Sequence, residues 1–276
     1  MDNRIKTFLL MLVLTIIVML IGSLFGRSGL IIALIFVAGM NLISYYFSDK
    51  IVLRIYGAKP ALKKDYPKLH LMVDELSKSA GIPKPEIYIV PSRIENAFAT
   101  GRNPKNGKVA VTEGIMHSLT EKELKGVLAH ELSHIKHRDI LIATIAATFA
   151  GLIMFVANMT RFAAIFGGMR DEGGNNLLGL LLVGILAPIA ALLIQMAISR
   201  SREYMADEKA AILIKDGEPL ASALLKLERG PKVSRGIETT SHLFIVNPLK
   251  GGGIVNLFST HPPIEERVKR LRALKF

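Results

Sequence analysis

The stretch that decides the fold is "LAHELSHIKHRDILIATIAATFA", which runs from Leu128 to Ala150. Its first half carries histidines and an acidic residue at the spacing of a metal site. Its second half is free of charge and begins a long apolar run. A metal-binding helix therefore stands directly before a segment that could enter a membrane, and the rest of the chain has to account for that order.

The metal motif consists of His130, Glu131 and His134, which read H-E-x-x-H. Residues four apart on an α-helix share a face, so both imidazoles can reach one ion. Glu131 points about 100° away around the helix axis and can reach a water on that ion instead of the ion itself. The pattern indicates zinc-assisted hydrolysis, in which zinc polarises the water and the carbonyl while the carboxylate takes the proton. Two histidines on a solvated helix are the alternative.

The helix that carries this motif has a clear start. Thr120 is placed as the N-cap and Glu123 as the third helical residue, which predicts a capping box. No strong helix breaker occurs from Glu121 to Ile140, so the helix is predicted to run straight on into the apolar segment. His137 then lies about 10 Å along the axis from His130, too far to share an ion with it. A third ligand must come from elsewhere.

The candidates for that ligand are Glu203 and Asp207 in "SRSREYMADEKAA", since a catalytic zinc needs a third protein ligand and an open position. They are four apart and share a helical face. One could bind zinc while the other fixes an imidazole N–H. If the two apolar segments between residues 140 and 198 form an antiparallel hairpin, His134 stands about 9 Å before it and Glu203 about 8 Å after it. Both ligands would then meet just outside the bilayer.

Four charge-free segments are each long enough to cross a hydrocarbon core of about 30 Å as a helix. They are Phe8–Phe25, Leu30–Phe47, Ile140–Ala157 and Leu177–Ile198. A chain of 276 residues cannot wrap four core helices in polar layers. The first segment exceeds a usual signal-peptide core and the second follows after four residues, so a retained hairpin is predicted instead of a cleaved leader.

The predicted fold class is therefore an α+β integral membrane protein with four hydrophobic helices and a mostly helical, zincin-like metalloprotease domain with a small sheet. Short strands are predicted at "EIYIV", "NAFATG" and "KVAVT", because they are rich in β-branched and aromatic residues or flank turn signals. The division along the chain is an N-terminal hairpin at 1–48, a protease region with the sheet and the motif helix at 49–139, a second hydrophobic hairpin at 140–199, and a C-terminal protease region at 200–276.

The net charge of +12 is placed unevenly. Basic residues precede the first apolar segment and cluster after the second, whereas the turn between these segments holds one arginine. By the positive-inside rule, the N-terminus and the large polar regions face the cytosol. No nucleic-acid-binding motif accompanies the charge, which excludes that class of partner. The chain has no cysteine, so disulfides and thiolate ligands are excluded as well.

Five segments in this order, "NAFATG", "HELSHIKHRD", "SREYMADEKAA", "HLFIVNP" and "FSTHPPIEERVKRL", resemble the HtpX-type membrane zinc metalloproteases, relatives of the CAAX prenyl endopeptidases. The resemblance covers essentially the whole chain. It implies a gluzincin-like site with one zinc held by His130, His134 and Glu203, and with Glu131 as general base. It also implies a multi-pass protein of the cell membrane that cleaves misfolded or unneeded membrane proteins on the cytosolic side.

The same resemblance gives meaning to "NAFATG", where a substrate would add itself as a strand at a sheet edge beside the metal. The substrate-binding residues are then Asn96, Ala97, Phe98 and Ala99. The two alanines leave room for a peptide, and Asn96 is polar. Without the resemblance the stretch is simply the end of a strand.

His261 and Arg267 take roles from the resemblance, whereas the expectation for Asp139 comes from its place in "HRD". His261 in "STHPP" would donate to the oxyanion of the tetrahedral intermediate. Arg267 would pair with an active-site carboxylate, for which Asp207 is the candidate. Asp139 is expected to be a helix cap or a charge partner of Arg138 or Arg202.

Two rival functions stay open on the sequence. One is a CAAX-type prenyl endopeptidase, whose family encloses its site in about seven spans that four segments cannot build. The other is a non-catalytic membrane scaffold with structural zinc or none, which Glu131 disfavours because a structural site needs no base. The expected partners are polypeptide substrates and the lipid bilayer, and the sequence gives no oligomeric state.

Overall fold

The structure is a computed structural model that describes residues 3–23, 26–142, 145, 200–230, 244–245 and 262–276. Its helices are α1 Asn3–Ser23, α2 Gly26–Ile55, α3 Pro67–Ala80, α4 Glu113–Ser118, α5 Glu121–His137, α6 Arg200–Ile214, α7 Glu218–Arg229 and α8 Ile264–Ala273. Its strands are β1 Lys59–Pro60, β2 Glu86–Val90, β3 Ala97–Thr100 and β4 Lys108–Thr112, and a 3₁₀ turn spans Pro104–Asn106.

Helices α1 and α2 pack against each other as a hairpin. Between them, the side-chain amide of Asn41 donates a hydrogen bond to Thr15 Oγ1 at 3.0 Å, which satisfies two polar groups inside an apolar pair. Large apolar side chains face outward, with Ile32 68% and Ile35 69% exposed. Such a surface is costly in water and favourable in lipid.

Helix α2 is the one helix in the described ranges that is long and apolar enough to cross a membrane. Only 17% of its most apolar window is buried, which distinguishes it from the core helix of a soluble protein. The predicted segments Ile140–Ala157 and Leu177–Ile198 lie almost entirely outside the described residues. The count of four hydrophobic helices and the division at residues 48, 139 and 199 therefore stay predictions.

The small sheet has the strand order β1-β2-β4-β3. Strand β2 pairs with β4 in parallel, with Ile87 opposite Val109, and β3 pairs with β4 antiparallel, with Phe98 opposite Ala110. The strands expected at "EIYIV", "NAFATG" and "KVAVT" are confirmed as β2, β3 and β4. Strand β3 lies at one end of the order and contacts α5, so the sheet places an end strand beside the motif helix.

Helix α5 is the centre of the core. It contacts α3, α6, α7 and β3, and Leu128, Leu132 and Ile135 on it are fully buried. Gly126 allows α7 to approach closely, because a Cβ at this position would lie 2.8 Å from the backbone nitrogen of Leu220. The predicted capping box of Thr120 and Glu123 is confirmed at its start.

The prediction that α5 runs straight on into the apolar segment is wrong. The helix ends at His137, and Arg138 adopts the left-handed conformation at φ 60°. Helical structure resumes at Asp139. A left-handed conformation costs a residue with a Cβ about 1–2 kcal/mol, so contacts beyond the turn must stabilise it. No glycine marks this bend in the sequence, so the local pattern did not predict it.

Candidate metal centre and active site

The three predicted metal-ligand side chains converge between α5 and α6. The Nε2 atoms of His130 and His134 are 3.1 Å apart. Glu203 Oε1 lies 3.4 Å from Nε2 of His134, and its Oε2 lies 3.8 Å from Nε2 of His130. The donor atoms of all three residues lie within 4.8 Å of one another. Two imidazole nitrogens and one carboxylate oxygen at this spacing suit a divalent cation such as zinc and leave further positions for other ligands.

Each imidazole has a carboxylate on its other nitrogen. His134 Nδ1 lies 3.2 Å from Asp139 Oδ2. His130 Nδ1 lies 2.9 Å from Asp207 Oδ1, although the ring N–H is not aimed straight at that oxygen. Carboxylates in these positions fix the ring orientation and point both Nε2 atoms at the same centre, which is the usual arrangement around ligating histidines.

These carboxylates are themselves held by arginines. Arg267, which is fully buried, donates from Nε and Nη2 to the two oxygens of Asp207 at 2.8 and 2.7 Å. Its third nitrogen donates to the carbonyl of Ile245 at 2.9 Å. Arg202 Nη1 donates to Asp139 at 3.3 Å. Paired acids and bases of this kind avoid isolated buried charge, which would be strongly unfavourable.

The surroundings favour positive charge on His134 and disfavour it on His130. Burial lowers the pKa of His134, but hydrogen bonds to Asp139 and Glu203 outweigh it and raise the pKa to about 10. Burial lowers the pKa of His130, with the contact to Asp207 opposing it. A divalent cation would supply the charge that these carboxylates favour, so the donor set and its electrostatics both fit a metal.

Glu131 lies beside this centre and is only 6% exposed. Burial raises the pKa of its carboxyl group to about 7; the neighbouring Glu203 adds to the rise, while His134 and a hydrogen bond from the backbone of Ala99 oppose it. A carboxylate with a pKa near neutrality can accept and release a proton in turn, which suits a general base.

The predicted substrate-binding residues lie on or next to β3, at one end of the described sheet. Asn96 is buried, and its side-chain oxygen accepts a hydrogen bond from the backbone of Ile245 at 3.2 Å. Phe98 belongs to a small apolar cluster, in which its ring packs against the ring of Tyr56. Ala97 and Ala99 are buried too. The side chains of Asn96 and Phe98 are therefore engaged in contacts within the fold, and substrate binding by this stretch stays a prediction.

Two predicted site residues, His261 and Asp139, differ from the others in their outcome. His261, expected to assist the oxyanion, lies outside the described residues. Asp139 was expected to cap a helix or pair with an arginine, and it does pair with Arg202, but its contact with His134 was missed. Asp139 follows His134 by five positions. Its carboxylate can contact the His134 ring only because the helix ends between the two residues.

Comparison with known proteins agrees with this geometry. The model of the family described as peptidase family M48 matches residues 63–275. A protease HtpX homolog of Syntrophobacter fumaroxidans is 50% identical over 282 residues, covering 99% of this chain and 100% of that protein. Homologs with the same description are 53% identical in Persephonella marina, over 98% of this chain and 96% of theirs, and 50% identical in Pyrococcus abyssi, over 98% and 95%.

Among solved structures, the crystal structure of S. mikatae Ste24p has a TM-score of 0.51 and 18% sequence identity. The match covers 98% of this chain and 65% of the Ste24p chain. At that identity the likeness concerns the fold alone, and it extends to a structure larger than this chain.

Proposed function

The chain belongs to peptidase family M48, and from that membership we propose that it is a zinc-dependent endopeptidase that cleaves misfolded or unneeded membrane proteins on the cytosolic side of the cell membrane. Membership makes it a metallopeptidase of the membrane. The observation that supports the proposed zinc-dependent hydrolysis is the convergence of His130, His134 and Glu203 on one centre with Glu131 buried beside it.

The chemistry then divides between the ion and the chain. Zinc bound by these three residues would supply Lewis-acid polarisation of water and of the scissile carbonyl. The carboxylate of Glu131 accepts the proton of the attacking water and returns it to the nitrogen of the leaving amine. Asp139 and Asp207 hold the two imidazole rings in a fixed orientation during the reaction. His261 is proposed to donate a hydrogen bond to the oxyanion.

The polypeptide substrate is proposed to lie along β3, which stands last in the strand order and whose Ala99 N–H already reaches Glu131. Main-chain hydrogen bonds to such a strand are largely independent of side chain, which suits a protease that handles many unfolded sequences. The residues of β3 are at most 6% exposed, so substrate entry requires this edge to become accessible.

The test of the mechanism is Glu131→Gln, which keeps the shape of the side chain but cannot accept the proton. We expect zinc content to be unchanged and the rate of cleavage of casein, or of the protein itself, to fall at least about 100-fold. Glu121→Gln, at an exposed position of the same helix, is the matched control and should cleave like the parent. A Glu131→Gln protein that cleaves at the parental rate would show that the assigned base is wrong.

A farnesylated CAAX peptide separates the endopeptidase from its enzymatic rival. The proposed function predicts cleavage of casein and of unfolded membrane proteins by the parent, without a preference for the prenylated peptide. Cleavage of the prenylated peptide alone would favour the prenyl endopeptidase. Full activity after complete removal of metal by a chelator would contradict both.

The cytosolic orientation is supported by the basic residues that follow the apolar part of α2 and by the direct passage of α2 into the protease region. Because the chain has no cysteine, single cysteines can report the side. Lys64→Cys, at an exposed site of the protease region, should react with a membrane-impermeant maleimide in inside-out vesicles and not in intact cells. Ser28→Cys, at the opposite end of α2, should show the reverse, and the same side for both would contradict the topology.

A further inference from the structure

A crevice of about 400 Å³ lies where α1, α2 and the end of α5 meet. Its apolar lining residues are Phe8 and Met11 on α1 and Leu141 just beyond α5. The lining also includes two arginines, Arg102 and Arg138. A volume of this size accepts a small molecule or the head of a larger one, and a lining that combines apolar side chains with two cations suits an amphiphile.

The crevice lies at the boundary between membrane and water. Phe8 begins the apolar run of α1 and is 64% exposed. Tyr45, which also lines the crevice, stands near the end of the apolar run of α2, five residues before Lys50. Tyrosine and lysine in this order mark the interfacial zone of a membrane helix. Ligands at this depth have an acyl part on one side and a polar part on the other.

The two arginines are not neutralised. Both are half-buried, and in the part of the chain that the structure describes neither guanidinium forms an ion pair with a carboxylate. Arg102 stacks over the ring of Tyr46, with its guanidinium carbon 5.3 Å from the ring centre. It also lines a neighbouring cavity of about 520 Å³, whose charged side chains are Lys50, Lys84, Lys105 and Lys108 against Asp49 and Glu86. Basic side chains therefore outnumber acidic ones around the crevice and the neighbouring cavity.

We propose that this crevice binds an anionic phospholipid, with the phosphate between Arg102 and Arg138 and the start of an acyl chain along Phe8, Met11 and Leu141. Guanidinium groups match phosphate oxygens in planar, charge-assisted hydrogen bonds. A net anionic head such as phosphatidylglycerol satisfies both cations, whereas the choline of a zwitterionic lipid adds a third positive charge. The proposal concerns binding and does not depend on the peptidase chemistry.

The position of Arg138 gives such a lipid a structural consequence. Arg138 is the left-handed residue between His137, the last residue of α5, and Asp139, which holds His134. A phosphate bound to the Arg138 side chain would anchor this turn at the membrane surface. The bound lipid is therefore expected to steady the carboxylate behind one metal ligand.

The test compares lipid binding to the full-length protein in neutral detergent by native mass spectrometry, with phosphatidylglycerol and phosphatidylcholine as probes. The variant is Arg102→Gln with Arg138→Asn, since asparagine tolerates the left-handed conformation. The control is Lys122→Gln with Lys269→Gln, which removes the same charge at exposed positions on α5 and α8. The zinc content of each protein reports whether it is folded.

We expect the parent and the control to retain phosphatidylglycerol in preference to phosphatidylcholine, and the arginine variant to bind phosphatidylglycerol about tenfold more weakly with its zinc intact. Equal binding of the two lipids by the parent would overturn the proposal, as would unchanged binding by the arginine variant. A third arm adds glycerol 3-phosphate. Effective competition by this soluble headgroup would assign the crevice to free phosphate compounds instead of lipid, whereas no competition supports the lipid. If zinc is lost from the double variant, Arg102→Gln alone must show the weakened binding.

Discussion

The two ends of α5 are built in different ways. At its start, Thr120 and Glu123 bond to each other within four residues of chain. At its end, Arg138 takes a left-handed conformation and Asp139 is held by Arg202, a residue 63 positions away. The cap at the start is formed by residues close in sequence, although Glu123 also accepts hydrogen bonds from Ser222 and Lys226 of α7. The geometry of the end, by contrast, depends on α6. Helix α5 thus has a cap encoded by nearby residues at its start, and an end whose geometry depends on the assembled metal centre.

The largest effect is expected from Asp139→Asn, which attacks the assembled end. The variant weakens the contact that orients His134 and leaves Arg202 with a weaker partner. We expect about 10–100-fold lower zinc affinity, measured by competition with a chromogenic chelator. The control is Asp65→Asn, at an exposed carboxylate. An Asp139→Asn protein with zinc affinity within twofold of the parent would show that the end of α5 does not support the metal.

Glu123→Gln tests the start of α5, both its local cap and its contacts with α7, and is expected to act on stability instead of metal binding. Burial raises the pKa of Glu123, but hydrogen bonds from Lys226, Ser222 and Thr120 outweigh it and lower the pKa to about 2. A carboxyl group whose pKa is lowered by folding stabilises the protein above its unfolded pKa near 4.5, and this contribution is lost as the pH falls towards 2. We expect a loss of about 2 kcal/mol in the free energy of unfolding at pH 7.

Thermal unfolding in detergent at pH 7 and at pH 3 measures this prediction. The difference in Tm between the parent and Glu123→Gln should be smaller at pH 3 than at pH 7. Glu121→Gln, an exposed acid in the same first turn, should differ little from the parent at either pH. A gap between parent and Glu123→Gln that is as wide at pH 3 as at pH 7 would contradict the assigned cause.

The smallest effect is expected from Arg138→Gly. Glycine adopts the left-handed conformation without the steric cost that arginine bears, but it loses more entropy on folding. The net gain is at most about 1 kcal/mol, or a rise of a few degrees in Tm in neutral detergent. Lys136→Gly, two residues earlier inside the helix, should lower Tm instead. Destabilisation by both variants would show that the arginine side chain itself holds the turn.

The same contrast explains what the sequence could predict. The capping box, the three strands and the H-E-x-x-H face depend on residues within a few positions of each other, and all are found as expected. Periodicity placed Glu203 and Asp207 on one helical face without choosing between them, and only the family resemblance singled out Glu203 as the ligand. The structure turns Glu203 towards the two Nε2 atoms and Asp207 towards Nδ1 of His130.

The missed features all depend on contacts between distant segments. The paired hydrogen bonds between Asp207 and Arg267, which are 60 positions apart, were expected only through the family resemblance and not from periodicity. The bend at Arg138 has no local signal, because no glycine or asparagine marks it. The burial of Asn96 and Phe98 depends on partners at Ile245 and Tyr56. Periodicity and propensity describe one element at a time and carry no information about such pairings.

The order of the metal ligands along the chain has a consequence for biosynthesis. Glu203 is translated 69 positions after His134, beyond two apolar segments. A ribosome that has reached residue 199 has released both imidazoles and the base, but not the third donor. A polypeptide translated only that far therefore lacks one of the three proposed zinc ligands and cannot complete the site.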